Sequence, residues 1–166
     1  MPASDQGVSL QRYMFIPRVL IFVRRATDYL LMKGAPDKPR WANQYNGIGG
    51  HVESGEDILS AANRELLEET GITAALRLCG TVVVETGENP GVGIYVFTGE
   101  YAEGEPVPSP EGKAEWISVP EVLKLPCVED LPVLLKRIQG MQTCDPPFSA
   151  HSYYDENQNL VLEFST

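Results

Sequence analysis

The chain has 166 residues, of which 43% are hydrophobic and 22% charged, a balance typical of a globular protein long enough to bury a core. No stretch approaches the roughly 20 apolar residues of a membrane span, and no signal-peptide pattern opens the chain, so we expect one cytoplasmic domain over residues 1–166. The net charge of −10 argues against binding duplex nucleic acid, because lysine and arginine must neutralise its phosphates.

The chain opens with a polar, unpatterned segment, residues 1–12, where we expect a loose terminus or an edge segment. The apolar and β-branched run over residues 18–25 predicts a buried strand, and residues 29–33 predict a second strand. Only three residues separate the two runs, so they are expected to form the opening hairpin of a mixed sheet.

A loop rich in proline and polar residues is predicted next, over residues 34–45, and it leads into the sequence NGIGG at residues 46–50. Glycine lets the backbone approach a ligand closely and adopt φ values that other residues avoid. We therefore expect this glycine cluster to lie beside a binding site.

A helix is predicted over residues 55–70. Ser54 and Asp57 have the spacing of a capping box, in which the serine hydroxyl accepts an N–H of the first helical turn. Gly71 would end the helix in the left-handed conformation, with Ile72 as its apolar contact.

One face of this helix is expected to carry three carboxylates, Glu65, Glu68 and Glu69, at spacings i, i+3 and i+4. They adjoin the apolar stripe expected to face the core, Leu59, Ala62 and Leu66. Partly buried carboxylates take up protons or gather cations, and Mg²⁺ binds one or two carboxylates together with substrate phosphates. Arg64 would offset part of the charge by pairing with Glu68. The alternative is a solvated acidic surface.

The second half of the chain alternates strands and helices. Strands are predicted over residues 74–85 and 94–101, joined by a turn at 86–93, and a loop follows over 103–112. A short strand at 114–118, a short helix from 119, a second amphipathic helix at 131–138 and a final hairpin at 148–154 and 160–164 complete the chain. The fold class is therefore α+β, with a mixed sheet sandwiched between helices.

The spacing of residues 50–72 resembles the Nudix box. Its fixed positions here are Gly50, Glu56, Arg64, Glu65, Leu66, Glu68, Glu69, Gly71 and Ile72. Residues 41–53, WANQYNGIGGHVE, further resemble the MutT-like and oxidised purine nucleoside triphosphatase subgroup. The resemblance implies the Nudix fold, an α/β/α sandwich, and hydrolysis of phosphoric anhydride bonds in nucleoside diphosphate derivatives.

The resemblance also implies a metal site and a catalytic group. The implied ligands of Mg²⁺, or of Mn²⁺, are Gly49, Glu65, Glu68, Glu69 and Glu111. The implied catalytic residues are Glu65, Glu68, Glu111 and Arg64. Glu115 is an alternative to Glu111, since both lie shortly before Trp116, and Glu56 is expected to support the start of the helix rather than to bind metal.

Base recognition is implied for Asn46, Glu129 and Asp130. A carboxylate can accept from the exocyclic amine of a purine, and a protonated carboxyl can donate to a carbonyl. The alternatives are a turn asparagine before glycine for Asn46, and an N-terminal helix cap for the acidic pair.

His51 stands where many MutT-like proteins have lysine, so an imidazole that is mostly neutral at pH 7 replaces a permanent cation near the phosphates. Lys33 is a candidate phosphate ligand in its place, or else an exposed lysine at a strand end.

The resemblance implies a Mg²⁺-dependent pyrophosphohydrolase that converts oxidised purine nucleoside triphosphates, such as 8-oxo-dGTP, to the monophosphate and pyrophosphate. The alternatives are hydrolysis of ADP-ribose or a dinucleoside polyphosphate, and a domain that senses a nucleotide without cleaving it. We expect a small nucleotide as the partner, no duplex nucleic acid or membrane, and a monomer or homodimer.

Overall fold

The computed structural model describes residues 3–7, 9, 11–101 and 104–165. Within the expected loose terminus, the described part contains a 3₁₀ turn over Ala3–Gln6, and residues 1, 2, 8 and 10 lie outside the described residues. Glu103, the first residue of the loop predicted over 103–112, also lies outside them. None of the helices in the described ranges is long and apolar enough to cross a membrane.

Within the described residues, eight strands form one mixed sheet. The strands are β1 (Phe15–Arg25), β2 (Asp28–Gly34), β3 (Tyr45–Asn46), β4 (Arg77–Val84), β5 (Gly91–Glu100), β6 (Gly112–Ser118), β7 (Phe148–Tyr154) and β8 (Leu160–Phe164). The helices of the same residues are α1 (Ile58–Thr70), α2 (Val119–Val122) and α3 (Leu131–Gln139).

The strands follow the order β3-β2-β1-β5-β4-β7-β8, and β6 pairs with β2. The pairs β1–β5 and β4–β7 are parallel, and the other pairs are antiparallel. The predicted hairpins β1–β2 and β7–β8 are confirmed. The two-residue strand β3 was not predicted, because a proline-rich polar loop surrounds it.

The glycine segment, residues 46–50, lies along the part of β1 that does not pair with β2. Val19 donates its N–H to the carbonyl oxygen of Gly50 at 2.9 Å, and Ile21 donates to that of Ile48 at 2.7 Å. These hydrogen bonds hold residues 48–50 against the strand, and so fix the chain that enters α1.

Alternate residues of β1 face two different cores. Leu20 and Phe22 pack in the cluster that contains the buried leucines of α3, whereas Ile21 and Val23 pack in the cluster that contains Leu66 of α1. The sheet therefore lies between α1 on one face and α2 and α3 on the other, and the predicted α/β/α arrangement is confirmed.

The start of α1 differs from the prediction. The helix begins at Ile58, and Asp57 rather than Ser54 is its N-cap, since the Asp57 carboxylate accepts from the N–H groups of Leu59 and Ser60 at 2.9 and 3.0 Å. The end is as predicted: Gly71 adopts a left-handed φ of 71° and donates its N–H to Leu67.

The apolar stripe of α1 is also shifted relative to the prediction. Leu59 is 43% exposed, and Ala61 is buried in its place beside Ala62 and Leu66. Because Leu59 belongs to the first turn, it lies on the outer side of the helix entrance rather than over the sheet.

Candidate active site

A cavity of about 1080 Å³ opens between the acidic face of α1, the glycine segment and the start of α3. Its walls include most of the residues that the sequence singled out, namely Asn46, Gly49, Glu65, Glu68, Glu69, Glu111, Glu129 and Asp130. Lys33 and Arg64, both expected at the site, are absent from the walls formed by the described residues.

The three glutamates of α1 lie at different depths. Glu69 is 7% exposed, whereas the side chains of Glu65 and Glu68 are 14% and 60% exposed. The acidic face is therefore not a uniformly solvated surface, since two of its carboxylates enter the protein beside the cavity.

Glycine makes room for these buried carboxylates. A Cβ atom at Gly50 would overlap the carboxylate of Glu65, and Gly49 lines the cavity together with Glu65 and Glu69. The glycines thus leave room for these carboxylates beside the backbone.

Arg64 lies behind the acidic face, where it binds several acceptors rather than lining the cavity. Its guanidinium donates to Glu56 at 2.7 Å, to Glu65 at 3.0 Å, to Glu68 at 3.2 Å and to the carbonyl oxygen of His51 at 3.1 Å. These bonds raise the pKa of Arg64, and the pKa of Glu56 is lowered chiefly by its hydrogen bond from Arg64. Arg64 therefore contacts Glu56, Glu65 and Glu68 and does not line the cavity formed by the described residues.

The pKa of Glu69 is raised to about 8, first by burial and then by the charges of Glu65 and Glu111. A cation bound among these groups would remove the repulsion and stabilise the ionised form. The oxygen donors that meet here are the type that Mg²⁺ prefers, so the residues present fit a hard divalent ion.

Glu111, rather than Glu115, faces the cavity. Glu111 forms an ion pair with Lys38, another residue of the wall. Glu115 instead accepts from the Tyr45 hydroxyl at 2.6 Å and from Lys113 at 2.8 Å, away from the cavity.

Within the described residues, no three His, Cys, Asp or Glu side chains stand together as a ready metal site. Arg64 holds Glu65 and Glu68 in ion pairs, and Lys38 holds Glu111. The hydroxyl of Ser109, beside Glu111 in the same wall, is buried and makes no hydrogen bond to any described residue.

The cavity walls also carry Asn46, Glu129 and Asp130. The side-chain oxygen of Asn46 accepts the N–H of Gly47 at 2.8 Å, as in the alternative of a turn asparagine, while the side chain also lines the cavity. Asp130 stands at the N-cap position of α3 without a side-chain capping bond, and Glu129 accepts from the Tyr154 hydroxyl at 2.7 Å. Burial raises the pKa of Asp130, and the nearby charge of Glu129 adds to this.

The family model of the NUDIX domain matches residues 14–138, a range that includes the glutamates of α1 as well as Asn46, Glu129 and Asp130. The chain belongs to the Nudix family. Nudix hydrolases cleave phosphoric anhydride bonds in small nucleotide substrates and generally use divalent metal ions.

Several Nudix relatives are similar over much of the chain. The oxidized purine nucleoside triphosphate hydrolase of Danio rerio is 33% identical over 111 residues, which cover 66% of this chain and 71% of that protein. The NAD-capped RNA hydrolase NudC of Deinococcus radiodurans is 28% identical over 116 residues, covering 66% of this chain and 40% of that protein. The crystal structure of the MutT protein of Bacillus halodurans superposes with a TM-score of 0.73 at 28% identity, and the match covers 91% of this chain and 98% of that one.

The structure adds residues to the Nudix cavity that sequence reasoning missed. They are Arg18, Lys38, Arg40, Trp41 and Ser109. The sequence gives little indication that these residues line the site, because Arg18 stands at the polar end of a predicted strand and the others belong to polar, proline-rich loops. The predicted Lys33 instead places its ammonium 5.8 Å from the centre of the Tyr45 ring.

Proposed function

We propose that the protein is a Mg²⁺-dependent pyrophosphohydrolase that converts oxidised purine nucleoside triphosphates, such as 8-oxo-dGTP, to the monophosphate and pyrophosphate. The observation that carries the proposal is that a single cavity joins the carboxylates of α1 to polar groups suited to the edge of a purine. The likeness to a protein named oxidized purine nucleoside triphosphate hydrolase supports the same substrate class.

At the phosphate end, Glu65, Glu69 and the carbonyl of Gly49 would hold Mg²⁺. When bound, the ion would neutralise charge on the nonbridging phosphate oxygens and would lower the pKa of a water molecule. Glu68 and Glu111 are the more exposed carboxylates of the same wall, and one of them accepts the proton of the attacking water. Arg64 keeps Glu65 and Glu68 in place through its ion pairs.

At the base end, Asp130 and Asn46 would read the purine. Burial favours the protonated form of Asp130, which can donate to a purine carbonyl oxygen. The amide nitrogen of Asn46 is a further donor, because its oxygen is committed to Gly47. Glu129, which is more exposed, can accept from an exocyclic amine.

The proposal is tested by incubating the purified protein with Mg²⁺ and a nucleotide panel and by identifying the products chromatographically. The panel comprises 8-oxo-dGTP, dGTP, ADP-ribose and a diadenosine polyphosphate. We expect pyrophosphate and the oxidised monophosphate from 8-oxo-dGTP, at a kcat/KM at least about 10-fold above that for dGTP, the discrimination of one well-placed polar contact. Faster cleavage of ADP-ribose or the dinucleotide would contradict the substrate, and binding without product would indicate a sensing domain.

In the same proposal, the enzyme works in the cytoplasm and removes oxidised nucleotides from the nucleotide pool. A growth-dependent rise of oxidised guanine in DNA after loss of the protein is the expected cellular result.

A further inference from the structure

Among the described residues, three cations line the cavity of this acidic protein, namely Arg18, Lys38 and Arg40. Lys38 is paired with Glu111, and Arg40 is exposed on the loop before Trp41. Arg18 is half-buried and, within the described residues, forms neither a salt bridge nor a side-chain hydrogen bond. Its guanidinium therefore lines the cavity without a direct ion pair to a described carboxylate, and its donors remain free to bind an anionic ligand.

Arg18 lies where it can replace the lysine that many MutT-like proteins have at position 51. It stands directly across from His51 in an antiparallel bridge between β1 and the glycine segment. Its side chain lines the same cavity as Glu65 and Glu69, two of the proposed metal ligands. The permanent cation that position 51 lacks is therefore present on the neighbouring strand.

Trp41 holds the Arg18 guanidinium at the cavity. The Cζ atom of Arg18 lies 5.8 Å from the centre of the Trp41 ring, within the range of a cation–π contact. Trp41 has a φ of 60°, a left-handed conformation that is rare for a bulky residue.

The loop that carries Trp41 is fixed to the sheet by backbone hydrogen bonds. Gly34 donates its N–H to Gln44 and accepts from Asn43, each at 3.0 Å, and Gln44 donates to Trp41 at 3.0 Å. The indole is thus presented from an ordered turn, which gives the guanidinium a defined orientation.

We propose that Arg18 binds a phosphate group of the substrate, and that Trp41 positions Arg18 for this contact. The proposal rests on the proposed function in assuming a phosphorylated substrate in this cavity. A guanidinium presents two parallel N–H donors to phosphate oxygens, which gives both charge and geometry that an ammonium lacks. Arg18 would then determine affinity for the polyphosphate chain and leave base recognition unchanged.

The test compares Arg18→Gln and Arg18→Lys with wild type by calorimetric titration in Mg²⁺. The probes are inorganic tripolyphosphate and the phosphate-free nucleoside 8-oxo-2′-deoxyguanosine. We expect Arg18→Gln to weaken tripolyphosphate binding at least about 10-fold, with an intermediate loss in Arg18→Lys and nucleoside affinity unchanged. Arg24→Gln removes the same charge from a residue outside the cavity and serves as the matched control.

Equal weakening for both probes would show that Arg18 only shapes the cavity, and unchanged tripolyphosphate binding would show that it makes no phosphate contact. Either result overturns the proposal. Because tripolyphosphate contains no base, the result does not depend on which nucleotide the wild-type enzyme cleaves. Failure of the Arg18 proposal can therefore be distinguished from an error in the proposed nucleotide substrate.

The role of Trp41 is tested by Trp41→Leu alone and combined with Arg18→Gln. If Trp41 acts through Arg18, the Trp41→Leu substitution weakens tripolyphosphate binding only while Arg18 is present. The double variant then binds tripolyphosphate with the same affinity as Arg18→Gln. Additive losses in the double variant would refute a positioning role.

Discussion

Glu69 is the most buried acidic residue of the cavity, and its surroundings determine how the metal-free protein responds to pH. Its pKa is raised from 4.5 to about 8, first by burial and then by the charges of Glu65 and Glu111. The folded state therefore retains a proton between pH 5 and 8 that the unfolded chain releases. The stabilisation is complete below pH 4.5 and is lost as the pH rises through 8.

We expect the free energy of unfolding, measured by denaturant titration in EDTA, to fall between pH 5 and 8 with a slope of up to about 1 kcal/mol per pH unit from this group. Glu69→Gln should remove most of that slope, because an amide does not titrate. An equal slope in the variant would show that Glu69 does not carry the proton. Glu163→Gln, outside the cavity walls, is the control.

Gly50 provides a second residue-scale prediction. A Cβ atom at this position would overlap the end of the flexible Glu65 side chain, so Gly50→Ala should displace the carboxylate while the protein still folds. We expect kcat for nucleotide hydrolysis to fall about 10-fold or more, since small displacements of catalytic groups are costly. Gly140→Ala, where the nearest atom to the new Cβ is 3.6 Å away, should leave kcat unchanged. Full activity in Gly50→Ala would contradict the placement of Glu65 in the site.

The placement of single residues could be predicted from the sequence where it depends only on their spacing within one helix. Glu65, Glu68 and Glu69 share a face because of helical geometry alone, but their different depths depend on the glycine segment and on Arg64. The place of Arg18 was not predictable, since its neighbours come from a loop and a helix distant in sequence.

At the scale of the element, α1 begins three residues later than the predicted residue 55. The preceding chain makes a turn at residues 54 and 55, where Gly55 has a φ of 94° and Glu53 donates its N–H to the Glu56 carboxylate at 2.7 Å. Asp57 is then the first residue able to cap the helix. The capping box predicted from the sequence was wrong, because it assigned the N-cap to Ser54 and the N-cap is Asp57.

The corrected cap gives a prediction for helix stability. Asp57→Ala should lower the Tm by about 3 °C, because the N–H groups of Leu59 and Ser60 lose the carboxylate oxygen that accepts both, whereas Ser54→Ala should shift it by less than about 1 °C. Asp57→Asn, which keeps an acceptor oxygen, should retain most of the stability. Thermal unfolding followed by circular dichroism measures all three, and a larger effect at Ser54 would restore the original assignment.

At the scale of the whole molecule, β1 joins the two cores. The sequence indicated buried strands and two amphipathic helices, which was sufficient for the α/β/α class. It did not indicate that β1 pairs in parallel with β5, or β4 with β7, because these pairings join segments far apart in the chain. The cavity depends on this strand order, because β5 pairs with β1 and β4 pairs with β7, so residues of β1, β4, β5 and β7 line one cavity.

The shared sheet predicts that both cores unfold together, as expected of one domain. Leu66→Ala and Leu135→Ala, each fully buried in a different core, should lower the free energy of unfolding by about 2–4 kcal/mol. Circular dichroism and tryptophan fluorescence should report one coincident transition in each variant. Two separated transitions would show independent units, and Leu67→Ala, at a residue that is 51% exposed, should have a small effect.

The most direct test of the account is the binding of Mn²⁺, followed by electron paramagnetic resonance, to wild type and to Glu65→Gln and Glu69→Gln. If these carboxylates hold the catalytic ion, wild type binds Mn²⁺ in competition with Mg²⁺, and each variant binds at least about 10-fold more weakly. Wild-type affinity in both variants would contradict the account.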